Sequence, residues 1–424
     1  MGMDASSQSD IRLEPSASEA LEKIRAHRLR FTGSGGEYFR VWIVNVLLSI
    51  VTLGFYTPFA RKRTAQYFYS HSMVAGSALE FTAQQRRMVF GFVLVFLLSA
   101  AYQLAVRTGQ DTAVGLFILC GAALAPVIWA SAMRFRLSNT RWRGLRLVFT
   151  ANWKEIYKAS WPIFALALVW IGVFYGIDAL VGDYLAGFEG DAPKPRPRLD
   201  AGTGWTVFGV VLLGMFLSVL CIIRMEYNYR SLLVLRTRIG NEISRWKPVY
   251  TDFVKIWAGT VLVFLLSIVV IVVLSAAVAG GLMMSLKGAG SKEPGVWIYV
   301  AIALGAILSF FLMILASGPA RAYRESRMFH LVWNNTGVSQ IARFKCTLST
   351  RKFVLLRLKN MLLTILTIGF YRPFARVAEY KMKFESVTLY VKGSVEQLAG
   401  RLEKGQKEGF GDALADAAGL DLIG

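Results

Sequence analysis

The sequence predicts an all-α polytopic membrane protein: three transmembrane helical hairpins flanked by two related short or re-entrant helices, with small β-hairpin-like elements on the cytoplasmic side. Three observations carry that prediction. They are a set of long apolar runs, an uneven placement of basic residues, and a phrase that occurs near both ends of the chain.

The 424-residue chain is 55% hydrophobic, and six uninterrupted apolar runs are long enough to cross a bilayer. They are Val89–Val106, Ala113–Met133, Trp161–Val181, Trp205–Ile223, Ile256–Ala279 and Val296–Ala316, and Asp178 is the one carboxylate within them. The formal charge is +21. Its cations crowd the connections after the second, fourth and sixth runs and the segment before the first, while the other connections hold few. Such an excess of Lys and Arg marks the cytoplasmic side. The six runs then form three hairpins that enter from and return to the cytoplasm. This placement accounts for the charge without nucleic acid as a partner.

The phrase "TLGFYTPFAR" at Thr52–Arg61 recurs as "TIGFYRPFAR" at Thr367–Arg376, with eight of ten residues matching at an offset of 315. The match extends upstream. Asn45, Ser49 and Thr52 are spaced i, i+4, i+7, as are Asn360, Thr364 and Thr367, so each copy carries a polar stripe along an apolar helix. An internal repeat over 41–63 and 357–378 is expected. Arg357 and Lys359 shorten the second apolar run to Met361–Phe374, about 21 Å of helix against a core of about 30 Å. Two partly inserted or re-entrant segments follow, with both termini cytoplasmic if the motif helices do not cross. An eight-span arrangement is the alternative.

A looser repeat lies in the basic connections. "RFTG" (Arg30–Gly33), "EFTA" (Glu80–Ala83), "VFTA" (Val148–Ala151), "VYTD" (Val249–Asp252) and "RFKC" (Arg343–Cys346) come shortly before apolar segments, and "SHSMVAGS", "SNTRWRG" and "WNNTGVS" lie nearby. Their alternation and turn residues suggest short β-hairpins, with irregular linkers as the alternative. Residues 1–28 read as a mobile polar tail with a short helix at Ser18–His27, and they lack the apolar core of a signal peptide. Residues 29–395 form one membrane domain, and 396–424 a C-terminal cytoplasmic tail.

The phrases "TLGFYTPFARKR" and "TIGFYRPFAR", with "FTGSGGEYF" before the first and "NNTGVSQIARF" before the second, resemble the YjgN family of bacterial inner-membrane proteins. The resemblance covers about Arg30 to Lys392. It implies a polytopic protein of the bacterial inner membrane, and it carries no assigned reaction, substrate or catalytic residue.

Little in the sequence points to chemistry. His27, His71 and His330 are scattered, Cys120, Cys221 and Cys346 form no CxxC pattern, and no GxSxG, HExxH, Walker A or GxGxxG motif occurs. No enzyme activity, cofactor or metal is expected. The candidate site is a polar path or head-group site at Asn45, Ser49, Thr52, Asn360, Thr364 and Thr367, for which interhelical hydrogen bonding is the plainer explanation. A basic-aromatic cytoplasmic rim of Tyr56, Arg61, Arg63, Tyr371, Arg372 and Arg376 would grip an anionic lipid head group, or serve as an interfacial anchor. The expected function is transport or lipid and amphiphile handling between the motif helices. The alternative is a non-transporting scaffold or sensor that binds a cytoplasmic partner. Membrane lipids, anionic ones among them, are the expected partners, and the sequence names no protein partner.

Overall fold

The computed structural model describes residues 24–393 apart from 187–199, 241, 248 and 289–295, together with 395–397, 399–400 and 402; side chains within 183–186 and most of 278–316 fall outside the description. Short strands alternate with pairs of helices. Strand β1 (Ile24–Arg28) continues through Leu29 into β2 (Arg30–Phe31), which leads into α1 (Gly35–Val51) and α2 (Thr57–Ser70). Strands β3 (Ser72–Val74) and β4 (Ser77–Phe81) precede α3 (Gln85–Arg107) and α4 (Asp111–Ser138). Next come β5 (Thr140–Trp142), β6 (Leu145–Phe149), the short α5 (Trp153–Ala159), α6 (Trp161–Ala186) and α7 (Ala201–Leu235). Strands β7 (Thr237–Ile239) and β8 (Glu242–Trp246) precede α8 (Tyr250–Gly288) and α9 (Val296–Asn334). The series ends with β9 (Thr336–Val338), β10 (Ala342–Cys346), α10 (Thr350–Leu366), α11 (Arg372–Glu385) and β11 (Val387–Lys392).

The strands join into one eleven-stranded antiparallel sheet whose two edges are β1 and β2. Those edges are consecutive in the chain. Strand β1 pairs with β11 from Ile24↔Lys392 to Arg28↔Thr388, β2 pairs with β3, and the Leu29 amide between them donates to Val387 O at 3.1 Å. The sheet therefore curls almost into a barrel, which removes its open edges. Its strands alternate faces, as at Ala342, Arg343, Phe344, Lys345 and Cys346, where the two basic residues are exposed and the ends buried. Leu29, Leu145, Val338, Ala342, Leu389 and Val391 belong to one buried cluster, with Trp142 and Phe344 packed against it.

An all-α class with small β elements is therefore wrong. The hairpins expected near the basic connections exist, but they form a single, nearly closed layer. Each strand has two to six residues, and the pairings β2–β3, β4–β5, β6–β7, β8–β9 and β10–β11 bridge the intervening helices. Local periodicity cannot register partners so far apart. Ile24–Arg28, expected within a tail and partly helical, is the strand that closes the sheet.

A shared local device builds each strand–helix–helix–strand unit. Thr32, Thr82 and Thr150 donate through their amides and hydroxyls to the carbonyls of His71, Asn139 and Arg236, where the returning helices end. In the fourth unit the donor is the amide of Lys247, to Asn335, and in the fifth Thr347 again donates through amide and hydroxyl, to Ser386. Thr251 and Lys345, which the repeats "VYTD" and "RFKC" put in these places, lie elsewhere. The residues after the first four helix ends, Ser72, Thr140, Thr237 and Thr336, each bond a carbonyl four residues back. This explains the small polar residues beside His71, Asn139 and Asn335.

Among the described residues, five helical segments are long and apolar enough to cross a membrane: Gln85–Arg107, Thr112–Ser138, Trp161–Gly182, Ala201–Leu235 and Tyr250–Ala277. The sixth expected run, Val296–Ala316, is helical in α9, but most of its side chains lie outside the description. The motif helices behave differently. At Thr52–Tyr56 the chain reverses, so α1 and α2 lie side by side, and α10 and α11 repeat the arrangement. Both hairpins pair a helix of 17 residues with one of 14. Their longer arms measure about 25 Å at 1.5 Å per residue.

Candidate functional site: a cleft between two short hairpins

Both hairpin tips are built alike. Leu53 and Gly54 take φ of 49° and 91°, and Ile368 and Gly369 take 49° and 92°. Two successive left-handed residues turn the chain sharply, and glycine carries the larger angle at no steric cost. In each copy the threonine hydroxyl fastens the turn. Thr52 Oγ1 donates to Leu48 O and accepts from the Tyr56 amide, and Thr367 does the same with Leu363 and Tyr371. The tips carry bare apolar side chains, with Leu53 89% and Ile368 91% exposed, and Phe55 and Phe370 also exposed. Such patches mark contact with an apolar medium or partner.

The two hairpins come from opposite ends of the chain and pack against each other through α1 and α11. Phe39 stacks on Phe374 at 5.7 Å between centroids, and Trp42 meets Phe370 edge-on at 6.4 Å. Tyr38 is buried and accepts from Arg376 Nη1 at 3.2 Å, and Arg376 lies over the Phe68 ring at 5.5 Å. A Cβ on Gly35 would meet the Phe374 ring at 2.6 Å, so this close approach requires glycine.

Beside this contact lies a cleft of about 910 Å³. Helix α1 contributes Asn45 and Ser49, α2 contributes Arg61 and Thr64, and α11 contributes Arg372, Arg376, Glu379 and Lys383. The spacing of Arg372, Arg376, Glu379 and Lys383 places them on one helical face. Behind the α11 wall, Arg357 Nη1 bridges Glu325 at 2.9 Å and Glu379 at 2.7 Å, while Lys383 reaches Glu325 at 2.6 Å. Burial alone would raise the Glu325 carboxyl, but Lys383 and Arg357 outweigh it and hold it below the ordinary carboxylate value.

The expected site residues divide between these roles. Asn45, Ser49, Arg61, Arg372 and Arg376 are brought together around the cleft. Thr52 and Thr367 serve their own turns. Asn360 is buried and donates to Ala375 O and Glu379 Oε1, and Thr364 donates to Asn360 O. Asn45 makes the matching bond to Ala60 O at 3.5 Å, and in both asparagines Oδ1 is a buried acceptor without a donor. Tyr56 stacks on Phe59 under Arg63, and Tyr371 stacks on Phe374, outside the cleft lining. Arg61 and Arg376 lie in the second turn of the returning helices, nearer the tips than the strands. A rim beside the strands would be at the other end of these helices.

Sequence reasoning missed Glu325, Arg357, Glu379 and Lys383. The stripe on α11 was a usable signal, but Glu325 belongs to another helix with no local mark. It also missed the meeting of Glu37 and His71, 3.9 Å apart, where Tyr67 bonds Ser34 O. Burial and the Glu37 carboxylate push the Tyr67 hydroxyl up to about 12. Among the described residues no cluster of His, Cys, Asp or Glu could hold a metal ion.

The chain is 24% identical over 193 residues to the inner membrane protein YjgN of Salmonella typhimurium, which covers 45% of the chain and 43% of the relative. It is 24% identical over 154 residues to the protein of the same name from Escherichia coli O157:H7, covering 36% of the chain and 39% of the relative. These matches thus span less than half the length of the curated relatives. No solved structure is significantly similar to the chain. The family of bacterial proteins of unknown function designated DUF898 matches residues 26–417, nearly the whole described fold, and with the YjgN relatives this places the chain in that membrane-protein family.

Proposed function

We propose that the protein handles anionic membrane amphiphiles, binding them in the cleft between the two short hairpins for transport or presentation. The carrying observation is the cleft itself, with three arginines on its walls and bare apolar tips at the end of each hairpin. Guanidinium groups in a partly dehydrated groove attract anionic head groups, and the apolar tips keep the acyl chains beside them in lipid.

The sheet supports a topology for this reading. Each helix pair starts and ends at strands of one sheet, so its two bases lie on the same side. In this reading that side, which carries the basic strand residues, is cytoplasmic, with β1 and β11 there, the long helices crossing in pairs, and the short hairpins entering part of the bilayer. The matched turns, hydrogen bonds and helix lengths support an origin of the two hairpins by internal duplication.

A photoactivatable phosphatidylglycerol analogue, incorporated into membranes containing the full chain, tests the reading. Labelled peptides are expected from α1, α2 and α11; labelling confined to α3 through α8 would overturn it. A second reading, a scaffold binding an acidic cytoplasmic partner, draws on the exposed Arg146, Arg238, Arg245 and Arg343 of the strands.

A further inference from the structure

The cations of the cleft are not equivalent. Lys383 is committed to Glu325, and both Glu379 oxygens are committed, one to Arg357 and one to Asn360. Arg376 donates to Tyr38 and covers Phe68. The guanidinium groups of Arg61 on α2 and Arg372 on α11 make no ion pair or hydrogen bond among the described residues, yet both side chains line the same cleft. They are also not counterparts: the 315-residue offset matches Arg61 to Arg376 and Arg372 to Thr57. Two uncommitted guanidinium groups therefore face one cavity from different hairpins, with Arg376 between a hydroxyl and a ring.

Each guanidinium presents paired N–H donors that fit phosphate oxygens two at a time. A single phosphodiester carries one negative charge, enough for one of these groups. A phosphomonoester carries close to two charges at neutral pH and three acceptor oxygens, and two linked phosphodiesters divide the same charge between two centres. We propose that the cleft selects a head group bearing two negative charges on phosphate, a phosphomonoester or a linked pair of phosphodiesters, over singly charged head groups. The inference rests on the reading of the cleft as an amphiphile site and names its ligand class.

Native mass spectrometry of the purified full chain supplies the test, with phosphatidic acid, cardiolipin and phosphatidylglycerol offered in turn. Retention of the first two is expected to exceed that of the third by about 10-fold, the worth of one charge-assisted contact. Arg61→Gln and Arg372→Gln should each erase that preference, and Arg61→Lys should keep part of it. Equal retention of all three lipids, lowered equally by both glutamine variants, would overturn the two-charge inference and leave the cleft reading intact. Retention that neither variant changes would overturn both. Competition with inorganic phosphate separates the sources: displacement at millimolar concentration assigns the two-charge chemistry to a soluble phosphate ester, and persistence assigns it to a lipid.

Discussion

The two short hairpins share one backbone and differ in what fills it. Tyr38 and Phe353, both fully buried, occupy matched positions, as do Asn45 and Asn360 and the left-handed pairs at the tips. Around Asn360 the C-terminal hairpin carries Arg357, Glu379 and Lys383. The N-terminal hairpin has Trp42, Thr64 and Phe68 in the corresponding places. One copy is tied to α9 by ion pairs, while the other is packed by aromatic rings: Phe68 lies 4.9 Å from Tyr38 and 4.8 Å from Tyr380. The same frame thus yields one wall braced by ion pairs and one packed by aromatic rings, and the cleft lies between them.

Removing the brace should have the largest effect. Arg357→Met leaves Glu325 and Glu379 without their shared cation in a partly buried place, and about 2–3 kcal/mol of stability should be lost after discounting for solvent screening. Thermal unfolding in detergent reads this, and a loss no greater than that of Trp42→Met would erase the distinction between the hairpins. Next come the asparagines. Asn360→Ala forfeits two bonds and should cost about 1–3 kcal/mol, whereas Asn45→Ala forfeits one long bond and should cost under about 1 kcal/mol. Equal losses would mean that the ion network adds nothing to Asn360.

The tips should respond alike. Gly54→Ala and Gly369→Ala each force a Cβ into the left-handed region, at a cost of about 1 kcal/mol in both copies. Unequal melting shifts would show that the turns bear different loads. The smallest effect is on pH dependence. Because the folded-state Glu325 carboxyl is held below its ordinary value of 4.5, its contribution is present above that pH and fades as the pH falls through the lowered value. The stability gap between the native chain and Glu325→Gln should accordingly narrow on acidification; a constant gap would remove Glu325 from the network.

Much of this arrangement was legible in the residues. The long apolar runs, the doubled phrase and the polar stripe follow from spacing alone, and the shortness of Met361–Phe374 pointed to a segment that turns back. The sheet was not legible as one layer, since the alternation around Arg30–Phe31 suggests a strand but not its pairing with Met73 and Ser72 across the first helix pair. The cleft was half legible. Arg61, Arg372 and Arg376 stood out beside the motif, but the stripe of Asn360, Thr364 and Thr367 is spent on the hairpin's own hydrogen bonds. Only the closure of the chain through β1 and β11, which brings residue 39 to residue 374, decides which polar groups face a cavity.

That closure is the central claim, and cross-linking tests it most directly. In a chain lacking its native cysteines, Phe39→Cys and Phe374→Cys should be joined within one molecule by a short bifunctional thiol reagent in intact membranes, and the bridged chain should lose photolabelling by the phosphatidylglycerol analogue. Failure of the two positions to cross-link, while each reacts singly, would contradict a site shared between the two hairpins.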